Sequence, residues 1–309
     1  MKISPFLIGT LNRNEHLKRA LDSLKKNHYS SETDLFVALD YPSKDSHQHG
    51  YEKNIEYLNK IDGFKNIELI IRNENLGPTK NFDMARNEIF KYYDSIIVSE
   101  DDNYFSHDFL SFMNRSLEIF KDREDIFSIC GYSYPTKVPF SSRNTFAYDG
   151  FSSWGYGIWK EKFEKVNWSV SYIEDKMKSK NFRSKIKANH LLRDLDNILH
   201  TGVATKDTQI CLHQIDNNLF SIFPTISRVK NFGHDGSGLH STMDSRDLYL
   251  NQKLYQGSSN YKIDKNLKVD YEIIERVNKF LNKNSYLKYL LNPIKIATNA
   301  YRLIKRIFR

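Results

Sequence analysis

An α/β fold built on a mainly parallel sheet is predicted by three features of this 309-residue chain. Over the first hundred residues, short apolar runs alternate with polar stretches of helical spacing, the pattern of βαβ units. Gly77-Pro78 marks a helix start, because a proline at the first helical position gives up an N–H that would have no partner there. Polar or charged residues follow each apolar run, at Thr10 to Arg13, Asp40, Arg72 and Glu100 to Asp102. In open α/β sheets ligands lie outside the carboxyl ends of the strands, so these four sites are the first candidates for function.

Taken in order, the predicted strands are Pro5 to Gly9, Leu35 to Leu39, Ile67 to Ile71 and Ser95 to Ser99. Helices are expected near Arg13 to Asn27, Tyr51 to Lys60 and Thr79 to Tyr92. Asp125 to Tyr132 reads as a further strand, Pro135 to Gly157 as a loop with aromatics, and Lys160 to Val166 as a helix start. Residues 171–200 are charged, with Ile186, Leu191, Leu195 and Leu199 at helical spacing. Leu219 to Ser227 reads as a last strand, and Val229 to Ser241 as a Gly- and His-rich loop.

Composition is that of a globular protein, with 39% hydrophobic and 27% charged residues. Cys130 and Cys211 each lie in an apolar stretch, which predicts buried thiols and a reducing compartment. The N-terminal MKISPFLIGT lacks the features of a signal peptide or a bilayer span, and the chain is read as cytoplasmic. Six of the eight formal net charges fall within residues 284–309, so the body is nearly neutral and no polyanion-binding face is implied. After Asn292-Pro293, residues Ile294, Ile296, Ala297, Ala300, Tyr301, Leu303, Ile304, Ile307 and Phe308 share one half of a helical wheel. Lys295, Arg302, Lys305, Arg306 and Arg309 share the other. Such a helix suits the surface of an anionic membrane; the alternative is packing on the body.

The acidic triplet in IIVSEDDNYFSHDF carries the most chemistry. Carboxylates at the end of a buried strand need water or a cation. A hard divalent ion takes one or two of them and completes its shell with phosphate oxygens and water. A solvated acidic turn, or a helix N-terminus, is the competing reading. Strand alternation would put Glu100 and Asp102 on one side and Asp101 on the other. His47 and His49 in SHQHG lack a third ligand nearby and read as polar surface.

This segment resembles the Glu-Asp-Asp signature of GT-A glycosyltransferases, particularly the N-acetylglucosaminyltransferase I type. Phe151 to Lys160 followed by Val166-Asn167-Trp168, and then Pro224 to Ser241, resemble bacterial family-2-like glycosyltransferases in the same order. The resemblance implies a GT-A (Rossmann-like) domain over residues 1–275, with a nucleotide-binding half to about 103 and an acceptor half beyond it. A basic amphipathic helical extension over 276–309 completes the chain. It implies transfer of a sugar from a nucleotide-diphosphate donor, most simply a UDP-sugar, to a hydroxyl of a surface glycan, with inversion at the anomeric carbon. The cofactor implied is Mn²⁺ or Mg²⁺, and the location is the inner face of the plasma membrane.

Residue by residue, the resemblance assigns the donor to Thr10, Asn12, Arg13, Asp40, Arg72, Lys80, Glu100 and Asp101. Metal falls to Asp102 with His240, or with His234 in its place. Trp154, Gly155 and Tyr156 would meet the acceptor, and Asp207 would be the base. Each has a plainer use: surface charge for Arg72 and Lys80, core packing for the tryptophans, helix capping for Asp207. A nucleotidyltransferase is the rival enzyme, although GTLNRNEH lacks the Gly-rich, basic phosphate loop it would need. Outside enzymes, the rival is a membrane-surface or nucleic-acid-binding protein acting through the basic tail.

Overall fold

A computed structural model describes residues 1–136, 144–186, 191–233, 252–259 and 261–290, with side chains to residue 282. The first strand, β1 (Phe6–Thr10), is buried along its whole length, with Phe6, Leu7 and Ile8 fully inaccessible. Such uninterrupted apolar runs belong to sheets covered on both faces. β2 (Asp34–Leu39) and β4 (Ser95–Glu100) flank it in parallel, and β3 (Asn66–Ile71) pairs with β2. β3 lies at the sheet edge and is only partly covered.

Helices connect these strands. α1 (Asn14–Lys25) buries Leu17, Ala20, Leu21 and Leu24. α2 (Asp45–Leu58) begins six residues before the expected Tyr51 and takes in His47 and His49; Asp45 in its first turn favours the positive end of the helix dipole. α3 (Gly77–Ile89) carries Pro78 in its first turn. After β4 come β5 (Asn103–Phe105), α4 (Phe109–Phe120) and β6 (Ile126–Cys130).

The 135–157 stretch, expected as loop, contains β7 (Thr145–Tyr148) and the start of β8 (Tyr156–Trp159). A Cβ on Gly157 would lie 3.1 Å from Leu117 and 3.2 Å from Met113, so this glycine gives α4 room to pack on β8. Four helices follow: α5 (Lys160–Phe163), α6 (Val170–Lys178), α7 (Lys180–Ile186) and α8 (Leu191–Thr201). They lead to α9 (Lys206–Asn217), β9 (Phe220–Pro224) and β10 (Val229–Asn231). β10 pairs with β5 in a two-stranded sheet, where a loop was expected.

The main sheet has eight strands in the order β3-β2-β1-β4-β8-β6-β9-β7. β8 and β7 run against the other six, so the sheet is mainly parallel, as predicted. α10 (Tyr271–Leu290) runs through the expected division at 275/276. Val277 is buried, and Asn278 accepts from the Tyr148 hydroxyl at 2.7 Å. The predicted membrane-facing segment after Asn292 lies outside the described residues, and among the described residues no helix is long and apolar enough to cross a membrane.

Candidate active site

The strand order places Arg72, Asp40, Thr10 to Arg13 and Glu100 to Asp102 side by side along the carboxyl edge of β3, β2, β1 and β4. Because β8 runs antiparallel to β4, with Tyr156 opposite Val98, its beginning reaches the same edge.

β4 ends at Glu100, and Asp101 and Asp102 form a turn, so strand alternation does not govern them. Both carboxylates face Arg13: one guanidinium nitrogen pairs with Asp101, and Nη1 donates to Asp102 Oδ2 at 2.9 Å. Thr10 Oγ1 donates to Asp101 Oδ2 at 2.7 Å. Asn231 Nδ2 donates to Asp102 Oδ1 at 2.7 Å. Asp101 and Asp102 are 3% and 7% exposed, so the pair is buried and is held by charge-assisted bonds.

Glu100 keeps partial contact with solvent while protein displaces most of its water. Burial first, and then the charges of Asp102, Asp207 and Asp101, push its carboxyl well above the usual range. Asp101 is raised by burial, against the pull of Arg13. The Arg13 guanidinium is held charged, because Asp101 and Asp102 outweigh its desolvation.

Asp207 joins this cluster from the second half of the chain. It is the second residue of α9; Thr205 occupies the cap position, which removes capping as the explanation of Asp207. Its carboxyl is raised by burial, opposed by a hydrogen bond from Ser153. Its charge acts on Glu100, which sets it within electrostatic reach of that carboxyl.

The remaining predicted residues divide by position. Asn12 lies half-buried in the loop after β1, where its carbonyl oxygen would be 2.0 Å from a Cβ on Gly50. Asp40 is buried, and its Oδ1 accepts from the backbone N–H of Leu76 and of Tyr41, both at 2.9 Å. Arg72 Nε donates to Asn81 Oδ1 at 2.9 Å and the guanidinium lies 3.7 Å from Glu88. Three strand spacings, about 14 Å, separate it from the end of β4. Lys80 is exposed on the first turn of α3.

Trp154 meets Tyr132 edge-on at 4.7 Å. Gly155 has φ +73°, and a Cβ there would lie 3.0 Å from Val229, so its backbone packs on protein at a position that favours glycine. Gly157 likewise approaches core side chains rather than the strand-end edge. Tyr156 is buried against Phe151. Trp159 and Trp168 carry the ammonium groups of Lys162 and Lys206 on their rings, at 3.9 and 4.0 Å. His234 and His240 lie outside the described residues.

Among the described residues no group of three His, Cys, Asp or Glu side chains is arranged to hold a metal by itself. The donor set nevertheless suits a hard divalent ion. Three consecutive carboxylates, Glu100, Asp101 and Asp102, share one guanidinium, Arg13, and the charge of Asp207 also acts on Glu100, leaving an excess of negative charge on oxygen ligands. Asn231 also belongs to this cluster; the sequence placed it only in the Asn-x-Gly…His pattern of the 224–241 stretch and gave it no role, because its pairing with Asp102 depends on β10 lying beside β5. A cavity of about 370 Å³ lined by Asn87, Phe90, Lys91, Lys160, Phe163, Glu164 and Trp168 includes none of the acidic residues, and we place the chemistry at the carboxylates.

Fold and site thus define an α/β protein with a carboxylate-rich strand-end edge. No protein-family model matches the chain, and no curated protein matches it. Among solved structures it is similar to the mannosyltransferase PcManGT from Pyrobaculum calidifontis in complex with GDP-Man and Mn²⁺, at 13% identity and TM-score 0.39, over 68% of each chain. It is similar to S. aureus TarS 1-349 at 14% identity and TM-score 0.37, over 72% of this chain and 60% of that one. To mouse xyloside xylosyltransferase 1 in its apo form the values are 10% and 0.38, over 71% and 83%. The match to a longer TarS structure spans a quarter of that chain. Likeness at this level assigns no activity.

Proposed function

We propose that this chain is a metal-dependent glycosyltransferase that moves a sugar from a nucleotide-diphosphate donor, a UDP-sugar in the simplest case, to a hydroxyl of a surface glycan. The observation that carries the reading is the clustering of Glu100, Asp101 and Asp102 around Arg13 at the carboxyl edge of the parallel strands, with the charge of Asp207 on α9 acting on Glu100. It joins the acidic turn and the α9 carboxylate, two features that the sequence resemblance links to one reaction.

Asp102, with Glu100 or Asp101 beside it, would hold Mg²⁺ or Mn²⁺, which when bound supplies neutralising charge for a diphosphate leaving group. Arg13 adds a fixed positive charge at the same place. Asp207 accepts the proton of the acceptor hydroxyl as that oxygen bonds to the anomeric carbon. The bond from that carbon to the diphosphate oxygen breaks, and the nucleoside diphosphate departs with the electron pair. Direct displacement inverts the anomeric centre. Thr10, Asn12, Asp40 and Arg72 lie along the strand ends where the nucleotide would extend, and Lys80 on the first turn of α3.

The test is nucleotide release from UDP-, GDP-, dTDP- and CMP-sugars, with Mn²⁺ or EDTA, by wild type and Asp102→Ala. Metal-dependent turnover of one donor, lost in the variant, supports the transferase. A protein that neither turns over nor binds any of these donors with metal present is not one.

A further inference from the structure

Asn231 makes more connections within the acidic cluster than its place in a three-residue strand requires. Its Nδ2 donates to Asp102 Oδ1 at 2.7 Å and to Asn103 Oδ1 at 3.0 Å, while its own Oδ1 accepts the Gly233 N–H at 2.8 Å. Asn103 is in turn fixed through Nδ2 to Ser99 Oγ at 2.9 Å, one residue before the acidic triplet. The backbone of the same segment returns to the turn, with Phe232 N–H donating to the Asp102 carbonyl at 2.8 Å. Asn231 and Asp102 are both buried, each 7% exposed.

Arg13 holds Asp102 Oδ2 and Asn231 holds Asp102 Oδ1, so the carboxylate is gripped at both oxygens and its plane cannot turn freely. Gly233 closes the third side: a Cβ there would sit 2.2 Å from Asp102 Oδ2. From this geometry we infer that Asn231 is a positioning residue for Asp102, fixing its orientation for a divalent cation and tying the 231–233 segment to the acidic turn. This rests on the metal-dependent reading above. Partners that orient a metal-binding carboxylate set metal affinity without touching the metal, and losing one costs about ten- to hundred-fold in affinity.

The experiment titrates Mn²⁺ into the full chain pre-equilibrated with UDP, for wild type, Asp102→Ala, Asn231→Ala and Gly233→Ala, with thermal unfolding alongside. Asn231→Ala is expected to bind Mn²⁺ about ten- to hundred-fold more weakly, and excess Mn²⁺ is expected to restore its donor turnover. A purely structural role would not produce that rescue. Gly233→Ala, which crowds the same carboxylate from another side, is expected to weaken Mn²⁺ binding too and stands in if Asn231→Ala does not fold. Wild-type Mn²⁺ affinity in a folded Asn231→Ala protein, or in Gly233→Ala as its substitute, overturns the inference and leaves the metal reading intact. Failure of the wild type itself to bind Mn²⁺ overturns both.

Discussion

The hydroxyl of Thr10 donates to Asp101 Oδ2 at 2.7 Å, joining the end of β1 to the turn after β4 across 91 residues of sequence. Thr10 is 7% exposed and Asp101 3%, so water does not replace the bond if it is lost. Hydrogen bonds to charged groups contribute roughly 1.5–3 kcal/mol. Thr10→Val keeps the shape and removes the donor; urea unfolding of this variant should show a loss in that range. A loss below about 0.5 kcal/mol, within the spread of neutral surface changes, would mean that Arg13 alone satisfies Asp101.

For Asp207 the proposed chemistry and the fold pull in opposite directions. Burial raises its carboxyl, so the charged form is disfavoured in the folded protein. Asp207→Asn should therefore unfold at the same temperature as wild type or higher, while turnover with acceptor falls about 10²- to 10⁴-fold. Steady-state kinetics and a melting curve on one preparation separate the two effects. Wild-type turnover in this variant would remove Asp207 as the base.

The parallel half of the sheet was legible because β1, β2 and β4 are Ile-, Val- and Leu-rich runs covered on both faces, and because Pro78 fixes where α3 begins. The β8 strand was not, since Gly155 and Gly157 read locally as loop residues although Gly157 makes clearance for α4. β5 and β10, three residues each, are too short to carry a period. In the site, the acidic triplet was read from residue type and its place at a strand end, and Asp207 from the family resemblance. The pairing of Arg13 with Asp101 and Asp102 was not, because it depends on β1 and β4 being neighbours, a fact about strand order that no local pattern encodes.

Away from the site, Asp216 on α9 ties that helix to α6. Lys176 donates to it at 2.8 Å, and the Tyr172 hydroxyl donates to its other oxygen. Burial alone would raise this carboxyl, but those hydrogen bonds and the charges of Lys176 and Lys185 outweigh it and hold it below its ordinary value. A group whose folded pKa is depressed binds protons more weakly folded than unfolded. Its stabilising contribution is therefore present above the unfolded value, about 3.9, and is lost as pH falls through the lower folded one. Comparing wild type with Asp216→Asn by urea unfolding between pH 2 and 7 should show a difference that is constant near neutrality and shrinks below about pH 4. A difference independent of pH would assign the effect to packing.

Arg228 and Asp108 form an ion pair at 3.2 Å with 1% and 0% of their side chains exposed. Arg228 Nη1 also donates to the Ile226 carbonyl at 2.6 Å, and its guanidinium lies 3.7 Å from the Tyr255 ring centroid. Asp108 accepts from the Ser106 hydroxyl at 2.6 Å. The pair thus holds the entry to β10, three residues before Asn231, against the segment that leads into α4. Breaking a buried ion pair at one partner strands the other charge and costs about 3–5 kcal/mol, whereas replacing both with apolar residues of similar size is often neutral. Asp108→Leu should lose about that much in urea unfolding, and Asp108→Leu with Arg228→Met should recover most of it. If the double variant is instead as unstable as the single one, the hydrogen bonds to Ile226 and Ser106, rather than charge pairing, are what seat β10 beside the acidic turn.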